Sequence, residues 1–344
     1  MLPPMNEARL FNLPGHQNVD RVPGLVFAYR SLPGQPATAL APKDIEAALA
    51  ADEGWVWLHV DLVDQRAHGW VGHACRLPNA SRAILEGHDS LVLGHEDGVV
   101  HGVSADMHKD IERRSSTIGR LHFAVTERLL VTGRRHSLEG VDQLRHALGD
   151  GLKLATAFEL FEAIVGAFCK NTGLRLAEAT RQLDEVEDNL VTERLSDERR
   201  RLKEVRRLAV SLHRPVSGMV ALFEDEDREE WQLSPIAHAV LRRLSTRLER
   251  LDREIVMIND RARLLQEEMA AELADESNRS LKAMAVMSAL LLPGTLVVGV
   301  FGMNTAGLPF TQGGSGFWWA VALGIGATAL FYWLLRRAGV SLRF

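Results

Sequence analysis

Hydrophobic positions along the chain change their spacing three times. Up to about residue 150, short apolar runs are separated by turn-forming clusters. GLVFAYR (24–30), GWVWLHVDL (54–62), VVHGVSADM (99–107) and LHFAVTERLLVTG (121–133) read as strands. Between them, PKDIEAALAAD (42–52), NASRAILEG (79–87) and SLEGVDQLRHALGD (137–150) read as helices, so the pattern predicts a small α/β domain with a mixed sheet over 1–152. From about Thr156 the strand signals vanish. Residues 158–195 read as one long amphipathic helix or two collinear ones. A second helix runs from about Asp197 to Phe223, with HRP (213–215) as a kink site, and these helices fill 153–233.

The third pattern starts at Ser234, which suits an N-cap, with Pro235 in the first helical position. Leu241, Leu244, Leu248, Leu251, Ile255, Ile258, Ala262, Leu265 and Met269 then follow a strict 3-4 alternation, the pattern of a helix packed along its length against other helices. Nothing stops this helix before the apolar run Ala283–Phe301, so 234–282 reads as a stalk leading into a membrane span. A second uncharged run covers Phe317–Leu335. At about 1.5 Å per residue, each run just crosses a hydrocarbon layer of ~30 Å. Arg279 and Lys282 precede the first span, Arg336, Arg337 and Arg343 follow the second, and the connection 302–316 carries no charge. The positive-inside rule therefore puts the α/β domain and the tail 336–344 in the cytoplasm, with both termini inside and the short loop outside. Two spans cannot enclose a pore, so a pore requires several copies around an axis.

Ser288 and Thr295 are the only hydroxyl-bearing side chains in the first span. They are seven residues apart and share a face with Leu281, while Met284 and Leu292 fall beside it. Such a stripe suits a packing seam between helices as well as a pore wall. Asn304, nine residues beyond Thr295 in GMN (302–304), favours the pore. Around an axis its amide oxygens form an uncharged ring that holds a hydrated divalent ion through its waters. Gly302 lets the backbone turn there, Met303 lies between the two, and Leu281, Met284 and Leu292 narrow and dry the path as a gate would. Towards the stalk, Glu267, Glu268, Glu272, Asp275 and Glu276 read either as an acidic collar that attracts or senses metal or as ordinary solvated charge.

Composition narrows the choice further. The net charge of −5, without a basic patch interleaved with aromatics, excludes a nucleic-acid partner. Cys75 and Cys169 stand too far apart for a metal motif or a disulfide framework and read as core thiols. The N-terminus lacks the pattern of a cleaved signal. His95, His101 and His108 with Asp106 have no compact zinc spacing and read as scattered surface or core residues. EDEDREE (224–230) reads as a solvated loop, with cation attraction as the alternative. No nucleotide, hydrolase or metalloprotease motif occurs, so an enzyme is not expected.

NRSLK (278–282), Pro293, Thr295, FGMN (301–304) and the basic-flanked second span together resemble the CorA-type metal-ion transporters, a two-span family with Gly-x-Asn closing the first span. The resemblance covers essentially the whole chain and is strongest over 234–337. It implies a homopentameric funnel in a bacterial inner membrane, with an α/β cytoplasmic domain, long helices, a pore lined by the first span and an Asn304 ring at its outer entrance. Phe301 replaces the tyrosine usual in the magnesium branch, and LPF (308–310) replaces its Met-Pro-Glu, so the uncharged loop looks more like that of the ZntB zinc transporters. That likeness implies zinc uptake assisted by the proton gradient, with nickel, cadmium and cobalt as further passengers and no cofactor. A magnesium or cobalt channel is the alternative, and a structural or sensory membrane protein is the reading from another class.

Overall fold

The computed structural model describes residues 22–51, 53–87, 90–109, 118–191, 198–224, 231–303 and 316–337. The chain divides into two compact units, Met1–Arg263 and Leu264–Phe344.

Among the described residues, the first unit is built on seven strands: Leu25–Ser31 (β1), Thr38–Ala39 (β2), Trp55–Asp61 (β3), Val92–Glu96 (β4), Val99–Met107 (β5), Ile118–Val125 (β6) and Leu129–Arg134 (β7). They form one sheet in the order β2-β1-β3-β7-β6-β5-β4. β3 and β7 are parallel, with Leu58 beside Val131 and His59 beside Thr132. All the other pairs are antiparallel.

Both faces of the sheet are covered, which is why β3 and β5 are buried along almost their whole length. On one face Val60, Ala124 and Val131 bury against Ala67 and Val71 of Gln65–Ala74 (α2) and Leu85 of Asn79–Glu86 (α3). Ala28, Val56 and Leu58 bury there against Ile45 and Ala48 of Ile45–Ala50 (α1). The opposite face carries Trp57, His59, Thr132 and Phe123. Glu139–Gly149 (α4) and Ala157–Val191 (α5) cover that side, with Phe161 of α5 against Phe123 at 4.3 Å between ring centroids. Period-two alternation thus sorts each strand between two helical layers.

Local chemistry explains where the sequence pattern misses elements. LHFAVTERLLVTG is two strands, because Thr126 Oγ1 accepts from the amides of Arg128 and Leu129 (3.3 and 3.0 Å) and turns the chain. β4 lacks a strong apolar signature. It is set by Asp97-Gly98, whose φ of 49° and 78° give the two-residue turn suited to a twisted hairpin. α2 carries two glycines and two histidines, yet Asp64 caps it by accepting from the Arg66 amide (3.1 Å).

The α5 helix is single, settling the choice between one helix and two. Glu198–Phe223 (α6) continues through a buried Pro215. The helix Pro235–Gly302 (α7) is continuous, and Ser234 Oγ accepts from the Ala237 amide at 3.2 Å, as its capping role predicts. Within the first unit Leu241, Leu244, Leu248, Leu251, Ile255, Ile258 and Ala262 of α7 are all buried. Ion pairs fix its register against α5: Arg243 and Arg247 reach Glu162 at 2.6 and 3.2 Å, and Arg261 reaches Asp184 at 2.7 Å and also Glu187.

Candidate functional site

The second unit holds the remainder of α7 and Gly316–Arg337 (α8). Among the described residues, α7 and α8 are the helices long and apolar enough to cross a membrane. Small residues bring them together: a Cβ on Gly294 would lie 3.4 Å from Thr328 Oγ1, ordinary contact distance. Both hydroxyls satisfy themselves along their own helices. Thr328 Oγ1 donates to the Gly324 carbonyl (3.0 Å) and Thr295 Oγ1 to the Leu292 carbonyl (2.9 Å). A groove of about 620 Å³ runs beside this seam, lined by Leu290, Gly294 and Val298 on α7 and by Gly324, Thr328 and Tyr332 on α8.

The polar stripe lies away from that seam. Leu281, Met284, Ser288, Leu292 and Thr295 are all exposed, Leu292 by 65%. Large exposed apolar side chains on an isolated pair of helices are what lipid or neighbouring copies cover. Gly302 ends α7. Met303 follows it, exposed, its amide 3.3 Å from the Val300 carbonyl. Asn304 and the rest of 304–315 lie outside the described residues, as does most of the acidic run 224–230. Glu267, Glu268, Glu272, Asp275 and Glu276 are exposed on α7, and among the described residues no group of three or more His, Cys, Asp or Glu side chains is placed to hold a metal.

His95, His101 and His108, weighed as metal ligands, each make another contact. His95 stacks on Trp231, His101 Nδ1 sits 2.9 Å from Ser81 Oγ, and His108 lies against His136. Asp106 is a helix cap. It accepts from the amides of Met107 (2.7 Å), Gly140 (3.1 Å) and Val141 (3.4 Å) at the start of α4. A Cβ on Gly140 would meet Asp106 Oδ1 at 2.9 Å, so the cap requires glycine there. Burial pushes the Asp106 carboxyl up to about 7 against the pull of those amides. Cys75 and Cys169 are free, and burial raises their thiols to about 12 and about 11, which disfavours the thiolate.

Sequence reasoning missed a polar crevice in the α/β domain. Lys109, Arg134 and Arg145 meet there with Ser137 and Asp142 beside the buried His59. The available signal was a cation just past each of two strand-like runs, in ADMHK and VTGRR.

Comparison with known proteins places these features in a family context. A family model described as "CorA-like Mg2+ transporter protein" matches residues 52–337. The Divalent cation transporter CmaX of Pseudomonas aeruginosa is 26% identical over 299 residues, covering 82% of this chain and 86% of that protein. The Zinc transport protein ZntB of Yersinia enterocolitica is 23% identical over 310 residues, covering 86% and 90%. The solved structure of full-length CmaX superposes with a TM-score of 0.76 at 22% identity, covering 93% of this chain and 99% of that one.

Proposed function

The chain belongs to the CorA-like Mg2+ transporter family, and from that premise we propose that it carries zinc into the cell through a pore formed by several copies. It is a multi-pass membrane transporter of divalent metal ions, not an enzyme. The observation that carries the zinc reading is the junction Phe301-Gly302-Met303-Asn304 followed by a loop without a single charge. Names among the relatives, a zinc transport protein and a divalent cation transporter, support it.

In this reading five copies surround the axis, with the α/β domains and both termini in the cytoplasm. The face bearing Leu281, Met284, Ser288, Leu292 and Thr295 lines the path, a role supported by its two hydroxyls, Ser288 and Thr295, standing seven residues apart in an otherwise apolar span. Asn304, set by Gly302 and Met303, contributes an amide oxygen from each copy at the outer mouth. An uncharged ring orients the ion's waters instead of stripping them, so discrimination among zinc, nickel, cadmium, cobalt and magnesium rests on hydration and ring size. Ser288 and Thr295 supply hydroxyls below it, and Leu292, Met284 and Leu281 form the dry constriction. Glu267, Glu268, Glu272, Asp275 and Glu276, dispersed in one copy, become a collar only when copies assemble. Neither apolar run contains an Asp, Glu, His, Lys or Arg, so acid outside drives zinc entry through pore water or through groups at the cytoplasmic end.

Asn304→Ala tests the ring. Zinc flux per assembled oligomer should collapse, while native mass spectrometry in mild detergent still counts five copies. Wild-type flux from an assembled Asn304→Ala protein refutes the amide-ring mechanism.

A further inference from the structure

We propose that the crevice at the carboxyl ends of β3, β5 and β7 binds a small phosphate-bearing anion, either inorganic phosphate or a phosphomonoester.

Topology puts the crevice where open α/β sheets bind ligands. β7 is parallel to β3, and two antiparallel steps through β6 make β5 parallel to both. The chain leaving β3 enters α2 on the face of Val60 and Val131. The chain leaving β7 enters α4, which packs with α5 on the face of Phe123. Neighbouring parallel strands whose connections depart to opposite faces open a gap beyond their carboxyl ends. The cavity there measures about 300 Å³, at the small end of ligand pockets.

Its charge selects an anion. Lys109, Arg134 and Arg145 line it, opposed by Asp142. That carboxylate is shared, accepting from Lys109 Nζ at 2.5 Å and from Arg145 Nη2 at 3.0 Å, so two positive charges remain in excess. Arg134 donates through Nη1 to Ser137 Oγ at 2.5 Å, but its buried Nε has no hydrogen-bond partner among the described residues. The guanidinium groups of Arg134 and Arg145 are the cations whose paired N–H donors suit a phosphate best. His59 reports the same positive field: burial first, and then Arg134 and Arg145, hold its pKa down to about 3. Phe27 stacks on the His59 ring (centroids 4.8 Å apart) with the Arg145 guanidinium over it at 6.0 Å, giving an apolar wall beside the cations for the carbon side of an ester.

The test uses the full-length protein in detergent, stripped of divalent metal and held at constant ionic strength with chloride. Inorganic phosphate and glycerol 3-phosphate are titrated separately by calorimetry. One saturable site per chain is expected, with at least tenfold weaker binding in Arg134→Gln and no change in Arg66→Gln, which removes an exposed cation paired with Asp64 outside the crevice. Circular dichroism checks each fold, and Arg145→Gln stands in if Arg134→Gln does not fold. Tighter binding of glycerol 3-phosphate assigns the site to phosphomonoesters, and tighter binding of phosphate assigns it to the free ion. Absence of saturable binding of either probe to wild type, or an equal loss in Arg66→Gln, overturns the proposal.

Discussion

Asp106→Asn should remove a pH dependence from the stability of the α/β domain. The Asp106 carboxyl titrates near 7 in the folded chain because it is fully buried, against 3.8 for an ordinary aspartate. Its folded pKa is raised, so the contribution is complete below the unfolded value and is lost as pH climbs through the folded one. Between pH 5 and pH 8 the unfolded chain is already ionised, while the folded chain must give up a buried proton. The linkage amounts to roughly 2–3 kcal/mol lost over that interval. Asparagine keeps an acceptor for the α4 amides and cannot ionise. It turns an amide group towards donors it cannot satisfy, which costs about 1 kcal/mol at every pH. Other titrations, including that of His59, whose lowered pKa costs stability as pH falls below the ordinary histidine value, cancel when the two proteins are compared. Thermal unfolding of the full chain in detergent, followed by tryptophan fluorescence, should show wild type losing roughly 5–10 °C relative to Asp106→Asn from pH 5 to pH 8. Parallel Tm curves for the two proteins would show that the carboxyl is not buried as described.

Two further substitutions probe the packing in each unit. Phe161→Ala empties a fully buried ring site against Phe123 and should cost about 3–5 kcal/mol, read as a lower denaturation midpoint; a loss below about 1 kcal/mol would contradict the sheet–α5 core. Gly294→Leu inserts a branched side chain where even a Cβ touches Thr328, and should reduce the yield of assembled protein from membranes by severalfold. Gly326→Leu, on the exposed side of α8 with nothing near its Cβ site, should not, and equal losses would sink the seam between α7 and α8.

Periodicity made the long elements legible. The 3-4 alternation from Leu241 to Ala262 is the buried stripe of α7, and the uncharged runs are the apolar helices, because burial along a helix writes itself into spacing. Elements fixed by one turn or cap were harder to read. β4 depends on Asp97-Gly98, α2 on Asp64, and the β6–β7 turn on the Thr126 hydroxyl, none of which leaves an apolar period. The crevice was hidden for a different reason: Lys109, Arg134 and Arg145 are distant in sequence and meet only through the strand order. The stripe from Leu281 to Thr295 was legible as one face of α7, because residues seven apart stack on a helix.

Transport itself is the central claim, and flux into vesicles tests it most directly. Purified full-length protein is reconstituted into liposomes, and entry of zinc and of magnesium is followed separately with ion-specific dyes at equal free concentration. The account predicts zinc entry well above protein-free vesicles, exceeding magnesium entry and rising when the outside is acidified. Magnesium flux greatly exceeding zinc flux would move the protein to the magnesium branch, and entry of neither metal above the protein-free level would contradict the account at its root.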